Sequence, residues 1–221
     1  MSAGSSIDDY VAAVVAAFQG FRMPATKIDR FDQGRRATLE KIVRAFVARM
    51  VPIKFLMLGY PFKSTNHRDK TIGVLPDRGE LVSLENFQRF AQAMQTAYAP
   101  GVQITIINDG LVFGSMLGIS EYEVDQYAEM VKDMARIAPM NFLGLRDFYP
   151  GVSVDAAREK LVKQWGIDNV ELERRILLDV NVNKLYGGIK WFMTEEVAWR
   201  PFTSKHAQKK GSVQAGSRTH A

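Results

Sequence analysis

The sequence contains no cysteine and only three histidines among its 221 residues. Without cysteine, the chain cannot form a disulfide scaffold, a thiolate zinc site, an iron–sulfur cluster or a cysteine nucleophile. So few histidines also argue against a histidine-built metal centre and against most serine–histidine hydrolases. We therefore expect a protein that holds no metal and folds on a hydrophobic core. Its length is sufficient to bury such a core without covalent crosslinks.

Acidic residues are outnumbered, but the excess of basic residues is confined to one end of the chain. The formal net charge is +5, from 29 Lys and Arg against 24 Asp and Glu. Residues 200–221 contain five basic residues and no acid, and subtracting those five leaves 24 basic residues for the rest. A nucleic-acid-binding domain would carry its basic residues on the folded part. The sequence thus predicts a neutral body, a basic tail and no nucleic-acid partner.

No long hydrophobic run is present. The apolar run at residues 10–18 is far shorter than the roughly 20 residues that span a bilayer. Asp8 and Asp9 precede it, where a secretory signal would carry positive charge. We therefore expect a buried N-terminal helix, no membrane partner and a cytoplasmic protein.

Three short apolar runs predict a parallel β-sheet. Residues 53–58, 102–107 and 140–143 are mostly apolar, short and separated by segments with helical periodicity. This alternation predicts the α/β fold class, with a Rossmann-like, mostly parallel sheet flanked by helices and a helical C-terminal portion. In such sheets, ligands bind beside the carboxyl ends of the strands.

Capping residues predict where individual helices begin. Ser83 can cap the helix that follows the first strand, and Ser120 with Glu123 forms a capping box before the next one. The helical pattern over residues 171–197 contains Gly187 and Gly188, where we expect a break.

Composition divides the chain into four segments. Residues 1–50 are expected to form N-terminal helices that pack on the core, and residues 51–150 to form the Rossmann-like core. Residues 151–202 are expected to be a C-terminal helical region. Residues 203–221 contain almost nothing to bury, which predicts a basic, disordered tail.

Polar side chains dominate residues 60–80, which follow the first predicted strand. The chain has no G-x-G-x-x-G, P-loop, G-x-S-x-G or H-E-x-x-H motif, so the common nucleotide, esterase and zincin interpretations lose their support. The loop instead offers donors that suit an anionic ligand such as a phosphate ester: Lys63, Ser64, Asn66 and Lys70. A solvated loop without a ligand would have a similar composition.

Acidic residues lie near both predicted strand ends. Asp77 and Glu80 could act as a base or hold a substrate amine, or could simply occupy the first turn of a helix. Asp109 follows the second strand, where it could be a catalytic acid or the acid of an Asx turn. Lys54, in a strand, and Lys190, in a helix, are weaker candidates because lysines in such places are usually at the surface.

Residues 60–66, 70–73 and 75–80 form long, ordered blocks of unusual residue choices. They are similar to the pattern F-P-x-K-S-x-N, K-x-x-G, L-P-D-x-x-E of the pyoverdine/dityrosine biosynthesis family, the isocyanide (isonitrile) synthases. The resemblance extends over about residues 55–134, including Asn108-Asp109-Gly110, and residues 186–196 resemble a later helix of the family more weakly.

This resemblance implies an enzyme of secondary metabolism that converts the α-amine of tyrosine or tryptophan to an isonitrile. It implies ribulose 5-phosphate as the donor of the extra carbon, through an imine between the amine and the sugar ketone. Sugar fragments and carbon dioxide are then lost. No metal or redox cofactor is implied, and an iron(II)/2-oxoglutarate oxygenase is the expected next enzyme.

The resemblance also suggests roles for the candidate residues. Phosphate or sugar contacts are expected from Lys63, Ser64, Asn66, Lys70 and, more weakly, Lys54 and Lys190. Substrate ammonium binding or proton transfer is expected from Asp77, Glu80 and Asp109. On this basis, Lys63→Ala should abolish phosphosugar binding while leaving the melting temperature nearly unchanged.

The chain departs from the family pattern at three places. It has Leu111 where the family commonly has a basic residue, and Ser115 where the family commonly has an acid. The usual C-terminal third, with a segment resembling R-L-S-I-H-P, is not found, so we expect a shortened relative, a truncated or frame-shifted product, or a fragment. The alternative function is therefore a non-catalytic paralogue that binds phosphosugar, amino acid or a full-length partner. A sheet without its last strands exposes an edge, which predicts self-association.

Overall fold

The computed structural model describes residues 6–23, 31–67, 69–137 and 140–198. Residues 203–221, predicted to be a disordered tail, lie outside these ranges. The helices and strands of the described residues are α1 (Ile7–Gly20), α2 (Arg36–Val47), β1 (Ile53–Leu58), α3 (Arg78–Ala97), β2 (Val102–Asn108), α4 (Gly110–Phe113), α5 (Glu121–Met134), β3 (Met140–Gly144), α6 (Leu145–Phe148), α7 (Val154–Trp165), α8 (Asn169–Leu178) and α9 (Val180–Ala198).

The three strands form one parallel sheet in the order β1-β2-β3. Ile53 pairs with Val102, and Ile104 pairs with Met140. The carboxyl ends of all three strands therefore meet at one edge of the sheet, as the sequence predicts. The predicted α/β class, with a parallel sheet and flanking helices, is confirmed.

One face of the sheet carries the main hydrophobic core. Ile53, Ile104 and Ile106 are buried there against apolar residues of α1, α2 and α3. Side chains alternate between the two faces of a strand, so Leu56 and Leu58 point to the other face, where they are 69% and 68% exposed. Helices thus cover one face of β1 and leave the other open.

The beginning of α3 differs from the prediction. Asp77 caps this helix through a hydrogen bond from the Gly79 backbone N–H at 2.7 Å, and Glu80 accepts one from the Asp77 backbone N–H at 2.8 Å. This capping box satisfies the first N–H groups of the helix before Ser83 is reached. The prediction that Ser83 caps the helix is therefore wrong, and its Oγ lies 2.7 Å from the Tyr60 hydroxyl instead. The capping box predicted at Ser120 and Glu123 is confirmed.

The break in the C-terminal helical region lies at Asp179, eight residues before the predicted one. The Asp179 carboxylate accepts hydrogen bonds from the backbone N–H groups of Asn181 and Val182, which begins a new helix. Gly187 and Gly188 lie inside α9, where the prediction of a break is wrong. Across the described residues, no helix combines the length and hydrophobicity that a membrane span requires.

Candidate functional site

The loops that follow β1 and β2 contact each other at the carboxyl edge of the sheet. The Asn108 side chain donates a hydrogen bond to the Tyr60 carbonyl at 2.6 Å and accepts one from the Gly110 N–H at 2.8 Å. A Cβ atom on Gly110 would lie only 2.2 Å from the Pro61 carbonyl oxygen. The backbones therefore approach as closely as glycine allows, which brings the two predicted loops into one site.

Lys63 lies in a nearly buried ion-pair cluster. Its Nζ is 2.7 Å from Glu80 Oε2 and 3.1 Å from Asp77 Oδ2. The side chains of Lys63 and Glu80 are only 10% and 11% exposed. The other oxygen of Glu80 accepts a hydrogen bond from the Tyr127 hydroxyl at 3.0 Å. The structure thus brings together three of the predicted site residues and adds Tyr127, which sequence reasoning missed.

Electrostatics in this cluster favour the charged form of Glu80. Burial raises the pKa of Glu80, but the hydrogen bonds from the Asp77 backbone and from Lys63 bring it below its ordinary value. Burial and the adjacent Glu80 carboxylate raise the pKa of Tyr127. Glu80 is therefore a charged acceptor and Tyr127 a neutral donor at neutral pH.

A second cluster is centred on Glu196, which is 2% exposed. Its carboxylate accepts hydrogen bonds from Ser64 Oγ at 2.6 Å, from the Thr65 N–H at 2.9 Å and from Lys70 Nζ at 2.6 Å. Burial raises the pKa of Glu196, but the bonds from Lys70, Ser64 and Thr65 lower it below its usual range. The loop after β1 therefore already binds one oxyanion, supplied by α9.

Sequence reasoning missed Glu196, because it lies 126 to 132 positions along the chain from its partners. The one signal for it was the weaker family resemblance of residues 186–196, which ends at this glutamate. A buried acid at the end of a mostly exposed helix has no distinctive local pattern.

Asn66 follows Thr65 in the loop after β1 and is 1% exposed. Its Oδ1 accepts a hydrogen bond from the Asp69 N–H at 3.1 Å. Its Nδ2 is buried and has no hydrogen-bond partner in the described part of the chain. Because buried polar groups are almost always hydrogen-bonded, this donor supports the prediction that Asn66 contacts a ligand.

Asp109 is the half-buried residue at the N-terminus of α4. Its side chain does not cap that helix, and the Asx turn beside it is formed by Asn108. Burial raises the pKa of Asp109 above its ordinary value, and a hydrogen bond from its own backbone N–H offsets this only in part. Asp109 therefore differs from Asp77, Glu80 and Glu196, whose carboxylates are all committed to protein donors.

The structure does not bring Lys54 and Lys190 to the site. Lys54 is exposed and second in β1, four residues before the carboxyl end, which is about 13 Å of strand. Lys190 is exposed on α9. The proposed contacts of these two lysines with a substrate have no support from the geometry.

The charge balance of the site argues against free lysines that wait for a phosphate. Lys63 and Lys70 face three carboxylates, namely those of Asp77, Glu80 and Glu196. A phosphate would have to replace a carboxylate or use other donors, such as Asn66 Nδ2. Within the described residues, no cluster of three or more His, Asp or Glu side chains could hold a metal ion.

Acid should weaken both carboxylate clusters. Because the pKa of Glu80 is depressed in the folded state, its stabilising effect is complete above its unfolded value of 4.5 and is lost as the pH falls through the folded value. We expect the free energy of unfolding to fall as the pH drops below about 4.5, with Glu80 contributing on the order of 1 kcal/mol. Urea denaturation at several pH values should show a flatter profile for Glu80→Gln. The exposed Glu85→Gln should retain the wild-type profile, and an unchanged slope in Glu80→Gln would contradict the expectation.

A family model described as "pyoverdine/dityrosine biosynthesis protein" matches residues 43–221. An L-tryptophan isonitrile synthase of Fischerella ambigua is 33% identical over 162 residues, which cover 72% of this chain and 48% of that protein. An L-tyrosine isonitrile synthase of Xenorhabdus nematophila is 28% identical over 180 residues, covering 78% of this chain and 53% of that protein. The chain thus spans about half the length of the curated relatives it matches.

Among solved structures, the fold resembles the PvcA protein from Pseudomonas aeruginosa, with a TM-score of 0.78 and 22% sequence identity. The match covers 93% of this chain and 70% of that one. At this identity, the similarity establishes the fold.

Proposed function

Because the chain belongs to the pyoverdine/dityrosine biosynthesis family, we propose that it is an isocyanide synthase acting on the α-amine of tryptophan or tyrosine. Its relatives include isonitrile synthases for each of these two amino acids. Ribulose 5-phosphate is the proposed carbon donor, and the imine formed by its ketone with the amine is the proposed intermediate. An iron(II)/2-oxoglutarate oxygenase as the next enzyme and self-association of the chain both stay predictions.

The observation that carries this proposal is the assembly of the two family blocks at the carboxyl edge of the sheet. The loop that carries Lys63 meets the loop that carries Asp109, because Gly110 packs directly on Pro61 and the Asn108 side chain donates to the Tyr60 carbonyl. A reaction that joins an amine to a sugar ketone needs donors for the sugar and a base for the amine. Asn66 offers the donor, and Asp109 is the proposed base because burial raises its pKa.

Isonitrile formation is the direct test. The purified chain should convert L-tryptophan or L-tyrosine to an isonitrile, detectable by mass spectrometry, only when ribulose 5-phosphate is present. Asp109→Asn should abolish the product while preserving the fold. A folded chain that binds ribulose 5-phosphate but forms no isonitrile would contradict the proposal and favour the non-catalytic paralogue.

Phosphosugar binding tests the role of Lys63. Lys63→Ala should abolish the thermal shift that ribulose 5-phosphate produces, whereas Lys41→Ala, which removes an exposed lysine from α2, should leave it intact. Contrary to the expectation from sequence, Lys63→Ala should also lower stability by about 1–2 kcal/mol, because it leaves the nearly buried Glu80 without its cation. Binding must therefore be measured by calorimetry below the variant's own transition. Undiminished binding by Lys63→Ala would remove Lys63 from the site.

A further inference from the structure

A cavity of about 460 Å³ opens at the carboxyl ends of β2 and β3, beside α6 and α7. Asn108, the last residue of β2, and Leu145, the first after β3, both line it. Ligands of parallel α/β sheets bind at this edge. Small-molecule sites have volumes of roughly 300–1,000 Å³. The place and the size of the cavity therefore both suit a small molecule.

Aromatic side chains form much of its wall. Phe148, Tyr149 and Trp165 line the cavity together with the aliphatic Val112 and Leu161. Phe148 is 53% exposed and Trp165 is 73% exposed, so much of their ring surface has no protein partner. Aromatic rings attract other rings at centroid distances of about 4.5–7 Å. A ligand with an aromatic ring would cover surface that is otherwise in water.

Among the described residues that line the cavity, Asp109 is the one that carries a charge. Its carboxylate is half-buried and does not cap α4. Burial without a compensating cation raises its pKa. A ligand with a positively charged group would provide that cation, and an aromatic wall also favours an ammonium ion.

We propose that this cavity binds the aromatic amino-acid substrate, with the α-ammonium at Asp109 and the ring against Phe148, Tyr149 and Trp165. The identity of the ligand rests on the proposed function; the preference for an aromatic amine rests on the lining residues. Gln164, at the same cavity, supplies an amide donor for the substrate carboxylate. This site separates amino-acid recognition from Lys63 and Glu80, whose charges neutralise each other.

A larger cavity does not fit the same ligand. It has a volume of about 670 Å³, lies between α1, α3 and β1, and is lined by Phe18, Phe55 and Phe90. Its charged lining residues, as far as the structure describes them, are Arg22 and Arg89. A cavity whose charges are both positive would repel an ammonium group, so the amino acid is assigned to the cavity at Asp109.

Calorimetry with two ligands tests the assignment. The intact chain should bind L-tyrosine at least about tenfold more tightly than 3-(4-hydroxyphenyl)propionate, which has the same ring and carboxylate but no amine. Asp109→Asn keeps the size of the side chain and removes its charge. This variant should lose about tenfold in affinity for tyrosine and bind the propionate at least as well as the wild type does. Equal binding of tyrosine by both proteins, or no binding by the wild type, would overturn the proposal.

A second pair of variants tests the aromatic wall. Trp165→Ala should weaken tyrosine binding about threefold to tenfold, because it removes one ring from the wall. Trp191→Ala removes a similarly exposed tryptophan from α9, outside the cavity, and should bind tyrosine normally. The unfolding temperatures of both variants should equal that of the wild type, because the two side chains are exposed. A lower value in either variant would reveal a loss of stability. Normal binding by Trp165→Ala would contradict the assigned ring position.

Isonitrile formation by the same proteins separates the two proposals. If the wild type forms isonitrile and Asp109→Asn does so with an unchanged KM for tyrosine, the cavity proposal and the assignment of Asp109 as the base are both wrong, and the isocyanide synthase function stands. If tyrosine binding depends on Asp109 but no isonitrile forms, the cavity proposal is supported and the proposed function fails.

Discussion

Replacing Glu196 with alanine is expected to lower the free energy of unfolding by about 3 kcal/mol. The carboxylate is 2% exposed and accepts hydrogen bonds from Ser64, from the Thr65 backbone and from Lys70. The alanine variant leaves the Thr65 N–H, which is buried, without its acceptor. Lys70 is 38% exposed, so water can replace part of its lost interaction and its share is the smallest. Urea denaturation monitored by circular dichroism measures the difference.

Two other variants isolate the role of charge and position. Glu196→Gln keeps an acceptor for Thr65 and Ser64 but loses the attraction to Lys70, so its stability should lie between wild type and alanine. Glu195→Ala removes the neighbouring acid, which makes no side-chain hydrogen bond or ion pair in the described part of the chain. It should change stability by less than about 0.5 kcal/mol. If Glu196→Ala were as mild as Glu195→Ala, the buried cluster would not stabilise the fold.

Replacing Gly110 with alanine is expected to destabilise the fold strongly, because no other described glycine leaves so little room for a methyl group. The new Cβ would lie 2.2 Å from the Pro61 carbonyl oxygen, 2.7 Å from Val124 Cγ1 and 2.9 Å from Asn108 Oδ1. The Pro61 carbonyl and Asn108 are held at the edge of the sheet, so the loops after β1 and β2 must move apart. We expect a loss of at least about 3 kcal/mol, measured by urea denaturation, together with loss of tyrosine and phosphosugar binding.

Gly187 provides the matched control for this substitution. It lies inside α9, and a Cβ there would have no heavy atom within 4 Å. Gly187→Ala should stabilise the protein by about 0.5–1 kcal/mol, because alanine favours the helix and restricts the unfolded chain. A wild-type stability for Gly110→Ala would show that the two loops are not in the close contact described.

The sheet could be predicted from sequence because each strand carries its own signal. Residues 102–107, for example, are rich in β-branched side chains and end at a turn signal, so β2 needed no information from other parts of the chain. The start of α3 is harder to predict for a local reason. The spacing of Asp77 and Glu80 suits a catalytic pair, two acids of a first helical turn and the capping box that they form.

The site was only partly predictable, because its contacts join distant parts of the chain. The loop after β1 and Asp109 could be recognised as neighbours, since parallel strands end at one edge. Pairing of Lys70 and Ser64 with Glu196, in contrast, depends on how α9 returns to the sheet. The same holds for the aromatic cavity, whose wall combines residues after β3 with residues from α7.

The Glu196 cluster also bears on the order of events during folding. Its hydrogen bonds close loops of 126 to 132 residues, and closing so long a loop costs more chain entropy than closing a helix or a neighbouring strand pair. The sheet can therefore form before α9 docks. Residues 64–70 should acquire protection from amide hydrogen exchange later than β2 does, and should lose it in a local opening that leaves the sheet intact.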